Sequence, residues 1–149
     1  MSGTPVRERV AIQAELLAGS LERLNELRLA GTRCETCGET SLGAKRICPN
    51  CGRETVHPVK LAERGTLWSY TVVRHRPPGN YRGPEPFAPF GLGLVELPEG
   101  VRVLSPIRCD IDALKVGLPL RFVPYVRADA ERDVVVFEFA AIDEAAAHG

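Results

Sequence analysis

The chain has 149 residues, 44% of them hydrophobic, which suits one domain or a small domain joined to a mini-domain and argues against wholesale disorder. Nineteen basic residues balance nineteen acidic ones, so there is no broad electrostatic pull toward DNA or RNA, and no apolar run approaches the roughly 20 residues of a membrane span. The opening MSGTPVRERV lacks the apolar core of a signal peptide, so a cytoplasmic protein with reduced thiols is expected.

Residues 7–27 are predicted to form a helix. Val10, Ala14, Leu17, Leu21 and Leu24 step by four and three into one stripe. Ile12 and Leu16 form a second apolar patch on nearly the opposite side, which makes this segment a candidate docking arm, with Gly19-Ser20 as a point of bending. The alternative is a helix lying on its own domain.

Next comes CETCGETSLGAKRICPNC, residues 34–51, with four of the five cysteines. Two CxxC pairs stand ten residues apart, each followed by a glycine, Gly38 and Gly52. Two intervening residues let a tight turn aim both sulfurs at one ion, and the glycines let the backbone turn beneath it. Cys34, Cys37, Cys48 and Cys51 are therefore the expected ligands of one Zn2+ ion in a zinc ribbon. Iron fits the same cage chemically, as in an electron carrier, but zinc is preferred. With all four positions filled by thiolate, no site is left for water, and such closed centres are structural.

After the ribbon the pattern turns to strands. Segments 66–73, 91–97, 101–109, 118–126 and 133–142 are rich in β-branched and aromatic residues. Pro106 predicts an edge or a bulge in the third of them, and DIDALKVG predicts one short helical turn with Asp110 and Asp112 as caps. Five strands with one short helical element predict a small Greek-key barrel of the OB type, with an SH3-like barrel or open meander as alternatives. The chain thus reads as mainly β: a helical arm (1–27), a four-cysteine zinc ribbon (28–60), a five-stranded OB-type barrel (61–142) and a loose tail (143–149).

Taken together, RCETCG, CPNCG, GTLWSYTVV, LPEG and VGLPLRF resemble the DUF35 family across roughly residues 22–142. The resemblance implies a rubredoxin-like zinc ribbon followed by an OB-fold, associated with acyl-CoA metabolism. It also implies a partner of the thiolase superfamily: a thiolase such as the one cleaving benzoylsuccinyl-CoA, a hydroxymethylglutaryl-CoA synthase, or a steroid side-chain aldolase. In such complexes the catalytic residues belong to the partner, so this chain is expected to be a non-catalytic accessory subunit that stabilises it and helps cover its acyl-CoA site.

No catalytic constellation emerges from the residues. His57 sits at the ribbon edge, where a plain surface role is preferred to an outer hydrogen bond to the metal ligands. His75 is flanked by Arg74 and Arg76, and His148 lies in the tail. Cys109 lacks an identifiable base and reads as a buried thiol, and there is no phosphate-binding loop or nucleophile elbow. The connection over residues 74–90 holds five of the twelve prolines and joins Arg74, Arg76 and Arg82 to Tyr81, Phe87 and Phe90. Arginine grips phosphate bidentately and an aromatic ring stacks on adenine, so Arg74, Arg76, Tyr81 and Arg82 are the candidate contacts to coenzyme A. The competing reading is a nucleic-acid-binding ribbon and OB-fold. Zero net charge and 6% aromatic content disfavour it.

Overall fold

The computed structural model describes residues 8–11, 13–79, 86–128 and 131–142. Among the described residues there are ten strands: β1 (Arg9–Ala11), β2 (Leu17–Ala18), β3 (Arg28–Cys34), β4 (Thr40–Leu42), β5 (Val56–Lys60), β6 (Arg64–Val73), β7 (Phe90–Glu96), β8 (Arg102–Arg108), β9 (Pro119–Ala128) and β10 (Asp133–Ala141). They form two compact units. Of the described residues, one comprises those up to Leu61 together with those of Pro124–Phe137, and the other those of Ala62–Val123 and from Glu138 to Ile142, so the division runs through β9 and β10.

The expected helix over residues 7–27 does not form. Among the described residues every helical segment is a single 3-10 turn, here Ala14–Leu16 and Leu24–Glu26. Strand pairing claims the segment instead. Val10 lies beside Val134 in a parallel pair of β1 with β10, and Leu17 lies opposite Leu29 in an antiparallel pair of β2 with β3. Gly19, at φ +121°, is outside helical conformation. The leucines that mimic a 3.6-residue stripe serve tertiary contacts, which outweigh the few tenths of a kcal/mol per residue of helix propensity. The docking face proposed for this helix falls with it. Ile12 lies outside the described residues, and the half-buried Leu16 reaches within 3.5 Å of where a Cβ on Gly43 would sit, so it packs on its own unit.

β3 is the spine of the first unit. It pairs antiparallel with β4 through Gly31–Leu42 to Arg33–Thr40 and with β5 through Ala30–Lys60 to Cys34–Val56. Leu27, Leu29, Ala30 and Leu61 are buried there. The buried Thr32 hydroxyl donates to the Gly43 carbonyl at 2.7 Å and accepts from the Lys45 N–H at 3.0 Å, fixing the chain that leads to the second cysteine pair. Arg9 donates to the Leu21 carbonyl at 2.8 Å, fastening β1 to the turn after β2.

The second unit holds β6, β7, β8 and the adjoining parts of β9 and β10, and the five predicted strands pair as one sheet. Order β10-β8-β7-β6-β9, closed by pairing of β9 with β10, makes a five-stranded barrel, with β8 and β10 parallel as Greek-key OB connectivity requires. Leu67, Val95, Val103, Leu120 and Phe139 fill it, and Phe122 meets Phe139 edge to face at 5.8 Å. The glycines of GLGLVEL face this interior. A Cβ on Gly91 would lie 2.9 Å from Leu114 Cδ1, and one on Gly93 would lie 2.5 Å from Leu67 Cδ1. Pro106 pairs with Leu92 of β7 on one side, while on the other β10 takes up its pairing with β8 only from Ile107, so Pro106 stands where the sheet is locally open, as expected of an edge position. A bulge falls in β6. The register shifts between Leu67 and Ser69, which leaves Trp68 on the outer face beneath the Arg102 guanidinium at 3.9 Å.

Among the described residues no helix is long and apolar enough to cross a membrane. The packing at Gly93 makes it a sensitive position. Gly93→Ala is expected to destabilise the barrel by about 1–3 kcal/mol through overpacking. Urea denaturation followed by Trp68 fluorescence checks this, with a lower midpoint as the expected outcome.

Candidate metal centre

Two matching knuckles carry the four cysteines. Cys34 closes β3 and Cys37 follows in the turn, while Cys48 and Cys51 occupy the loop between β4 and β5. Gly38 N–H donates to the Cys34 carbonyl at 2.9 Å and Gly52 N–H to the Cys48 carbonyl at 2.8 Å. Gly38 and Gly52 adopt φ of +79° and +77°, the left-handed region that glycine enters without a Cβ clash. This is the turn beneath an ion that the sequence anticipates.

All four sulfur atoms lie within 4.8 Å of one another. Cys34 Sγ is 3.7 Å from Cys51 Sγ, and Cys37 Sγ is 3.6 Å from Cys48 Sγ. A disulfide would require about 2.05 Å. A tetrahedron with metal–sulfur bonds of about 2.3 Å has an edge of about 3.8 Å, so the two measured separations match tetrathiolate coordination. In each knuckle the first cysteine is buried and the second exposed. Around the sulfurs, Asn50 Nδ2 lies 3.6 Å from Cys37 Sγ, and Thr55 Oγ1 lies 3.6 Å from Cys34 Sγ and 2.7 Å from Thr36 Oγ1.

Hydrogen bonding sets the thiols apart. The Cys37 N–H aimed at Cys34, aided by Thr55 and the Thr36 N–H, outweighs burial and lowers the Cys34 thiol to about 6. The Cys37 thiol is lowered chiefly by Asn50, then by the Glu39 N–H. At Cys51 the Arg53 N–H lowers the thiol, but burial and the neighbouring cysteine thiols together prevail and push it up to about 11.

Family models match both halves of this arrangement. Residues 21–57 fit the ChsH2 rubredoxin-like zinc ribbon domain and residues 58–124 the ChsH2 C-terminal OB-fold domain. A DUF35 domain-containing scaffold protein of Methanothermobacter thermautotrophicus is 32% identical over 114 residues, covering 74% of this chain and 83% of the relative. The chain belongs to the DUF35 family. Another similar relative is the benzoylsuccinyl-CoA thiolase subunit BbsA of Thauera aromatica, 31% identical over 60% of this chain and 63% of its own. Among solved structures, one described as "Ltp2-ChsH2(DUF35) aldolase" superposes with a TM-score of 0.61 at 28% identity, covering 80% of this chain and 89% of the other.

Outside the DUF35 ribbon, Arg74, His75 and Arg76 are exposed in the connection that follows β6. Phe87 and Phe90 pack edge to face on each other at 6.3 Å. Tyr81 and Arg82 lie outside the described residues, as does His148. His57, on β5, has its Nδ1 3.6 Å from Oε1 of Glu35, which stands between Cys34 and Cys37. Cys109 donates to the Asp110 carbonyl at 3.3 Å, and burial followed by the Asp110 carboxylate pushes its thiol up, which keeps it protonated. Asp110 occupies the cap position before Ile111–Ala113 but makes no side-chain cap hydrogen bond. Thr36, Asn50 and Thr55 are the residues that motif spacing did not single out. Asn50 stands inside the second CxxC, where a position between two ligands is the available signal.

Zinc affinity of the metal-free protein is expected to rise with pH. Binding must remove the Cys51 proton, held up to about 11, while Cys34, at about 6, is already a thiolate at neutrality. One released proton corresponds to about tenfold tighter binding per pH unit, and chelator competition at pH 7.0 and 8.0 measures it. Cys34→Ser is expected to lower bound metal below one per chain and to unfold the ribbon, as read by elemental analysis and circular dichroism.

Proposed function

We propose that this protein is a non-catalytic, zinc-binding subunit of a thiolase-like enzyme acting on the carbon–carbon bonds of acyl-CoA thioesters. Membership in a family whose relatives include a subunit of benzoylsuccinyl-CoA thiolase carries the reading. The structure described as an Ltp2-ChsH2 aldolase supports the same kind of assembly on similar folds. One Zn2+ held by Cys34, Cys37, Cys48 and Cys51 cross-links the two knuckles. With four thiolates supplied by the protein, no coordination position remains for substrate, so the ion is structural and catalysis rests with the partner.

Contact with the substrate falls to the connection after β6. Arg74 and Arg76, with Tyr81 and Arg82, hold the phosphates and adenine of coenzyme A at the border with the thiolase-like subunit. Guanidinium groups suit this task because their planar forks match phosphate oxygens.

Assaying each subunit alone and then both together tests the assignment. Activity is expected only for the pair, and acyl-CoA turnover by this chain alone overturns the proposal. In the complex, the double change Arg74→Ala, Arg76→Ala is expected to raise KM for the acyl-CoA roughly tenfold, on the scale of one lost charge-assisted hydrogen bond, with zinc content unchanged.

A further inference from the structure

We propose that Asn50 and Thr55 are positioning residues of the metal centre: they hold the thiolates of the first knuckle and leave Cys51 as the sulfur most open to electrophiles. The inference rests on the reading that the four cysteines hold a metal ion.

The knuckles are nearly equivalent in their backbone. Besides the glycine bonds, Cys34 N–H donates to the Glu39 carbonyl at 3.0 Å and Cys48 N–H to the Arg53 carbonyl at 2.8 Å. Side chains break that equivalence. Asn50, from the second knuckle, reaches across to Cys37 of the first, and Thr55, from beyond the second knuckle, reaches Cys34. Among the described residues, no side-chain donor other than a cysteine meets Cys48 or Cys51.

Coordination fixes the direction of these bonds. A metal-bound thiolate carries no proton, so it only accepts. Thr55 must then give its single O–H to Cys34, and Thr36 in turn must donate to Thr55 across 2.7 Å. The relay runs Thr36 to Thr55 to Cys34, and the asparagine runs separately to Cys37. The asparagine path joins the two knuckles without passing through the ion, and the relay ties the first knuckle to the chain that follows the second. Hydrogen bonds to a ligand atom orient it and draw electron density from it.

Exposure completes the asymmetry. Cys34 and Cys48 are buried, while Cys37 and Cys51 are exposed. Each of the exposed pair accepts a backbone N–H, Glu39 to Cys37 and Arg53 to Cys51, but only Cys37 accepts a side-chain donor as well, from Asn50. With iodoacetamide, the sulfur attacks the methylene carbon. A carbon–sulfur bond forms as the carbon–iodine bond breaks and iodide leaves, giving a neutral thioether that binds zinc poorly.

The full-length, zinc-loaded protein is treated with limiting iodoacetamide and its peptides are followed by tandem mass spectrometry, which reads Cys109 separately. Cys51 is expected to react roughly three- to tenfold faster than Cys37, the ratio that one net hydrogen bond supports. Asn50→Ala closes that gap and weakens zinc binding by about tenfold or more, the scale of an outer hydrogen-bond partner. In the cobalt-loaded protein, Thr55→Val moves the sulfur-to-cobalt charge-transfer band to longer wavelength and Thr55→Ser restores it. Wild-type protein that loads no cobalt overturns the metal reading and this inference with it. A loaded wild-type centre in which Cys37 reacts as fast as Cys51, or variants that leave both band and order unchanged, overturns this inference alone.

Discussion

Convergence of four sulfur atoms is the constraint on which the ribbon depends. Its neighbourhood buries three leucines, Leu27, Leu29 and Leu61, as its large apolar side chains. At about 1.5–3 kcal/mol for each fully buried side chain, they fall short of the roughly 10–16 kcal/mol that a structural zinc ion supplies. A short sheet with so small a core gains most from an ion that ties its loops. Everything close to the sulfurs serves that end: β3 delivers Cys34, Thr32 anchors the approach to the second knuckle, and the left-handed glycines turn the chain back. Cysteine itself forms part of the buried core at Cys34 and Cys48.

The barrel is organised by different physics. Its interior is apolar and tightly filled, and the glycines of β7 are the cost of letting Leu67 and Leu114 meet there. Closure through β9 and β10 leaves few unpaired strand edges. A closed and well-packed barrel is a rigid support for connections, and binding residues concentrate on connections carried by such supports. Arg74 and Arg76 stand at the end of a ten-residue strand, on the longest connection of the barrel. That placement suits the contact proposed for them.

Much of this was legible from one-dimensional pattern. The tetrathiolate spacing is a local property, because CxxC and its following glycine set the geometry within five residues. Each of the five barrel strands was also visible, since alternation and β-branched content are local signals bounded by Gly-Pro turns. The N-terminal segment misled for a physical reason. Val10, Leu17, Leu21 and Leu24 satisfy a helical stripe, yet Val10 pairs with Val134 and Leu17 with Leu29, the former far off in sequence. Periodicity records which residues seek burial and not which surface will bury them. Pro106, by contrast, was legible: it stands where β10 has not yet joined β8.

The sequence by itself determined the spacing of the four cysteines and the order of ribbon and barrel strands, because each follows from residue type and short-range spacing. Tertiary structure alone decided three things. It turned the N-terminal segment into strands, by offering unpaired edges of β10 and β3. It divided β9 and β10 between two units. It also brought Asn50 and Thr55 onto Cys37 and Cys34 while leaving Cys51 without such a donor. A side chain's hydrogen bond to a residue 13 or 21 positions away leaves no periodic trace in the chain, and only the folded turn brings donor and sulfur within reach.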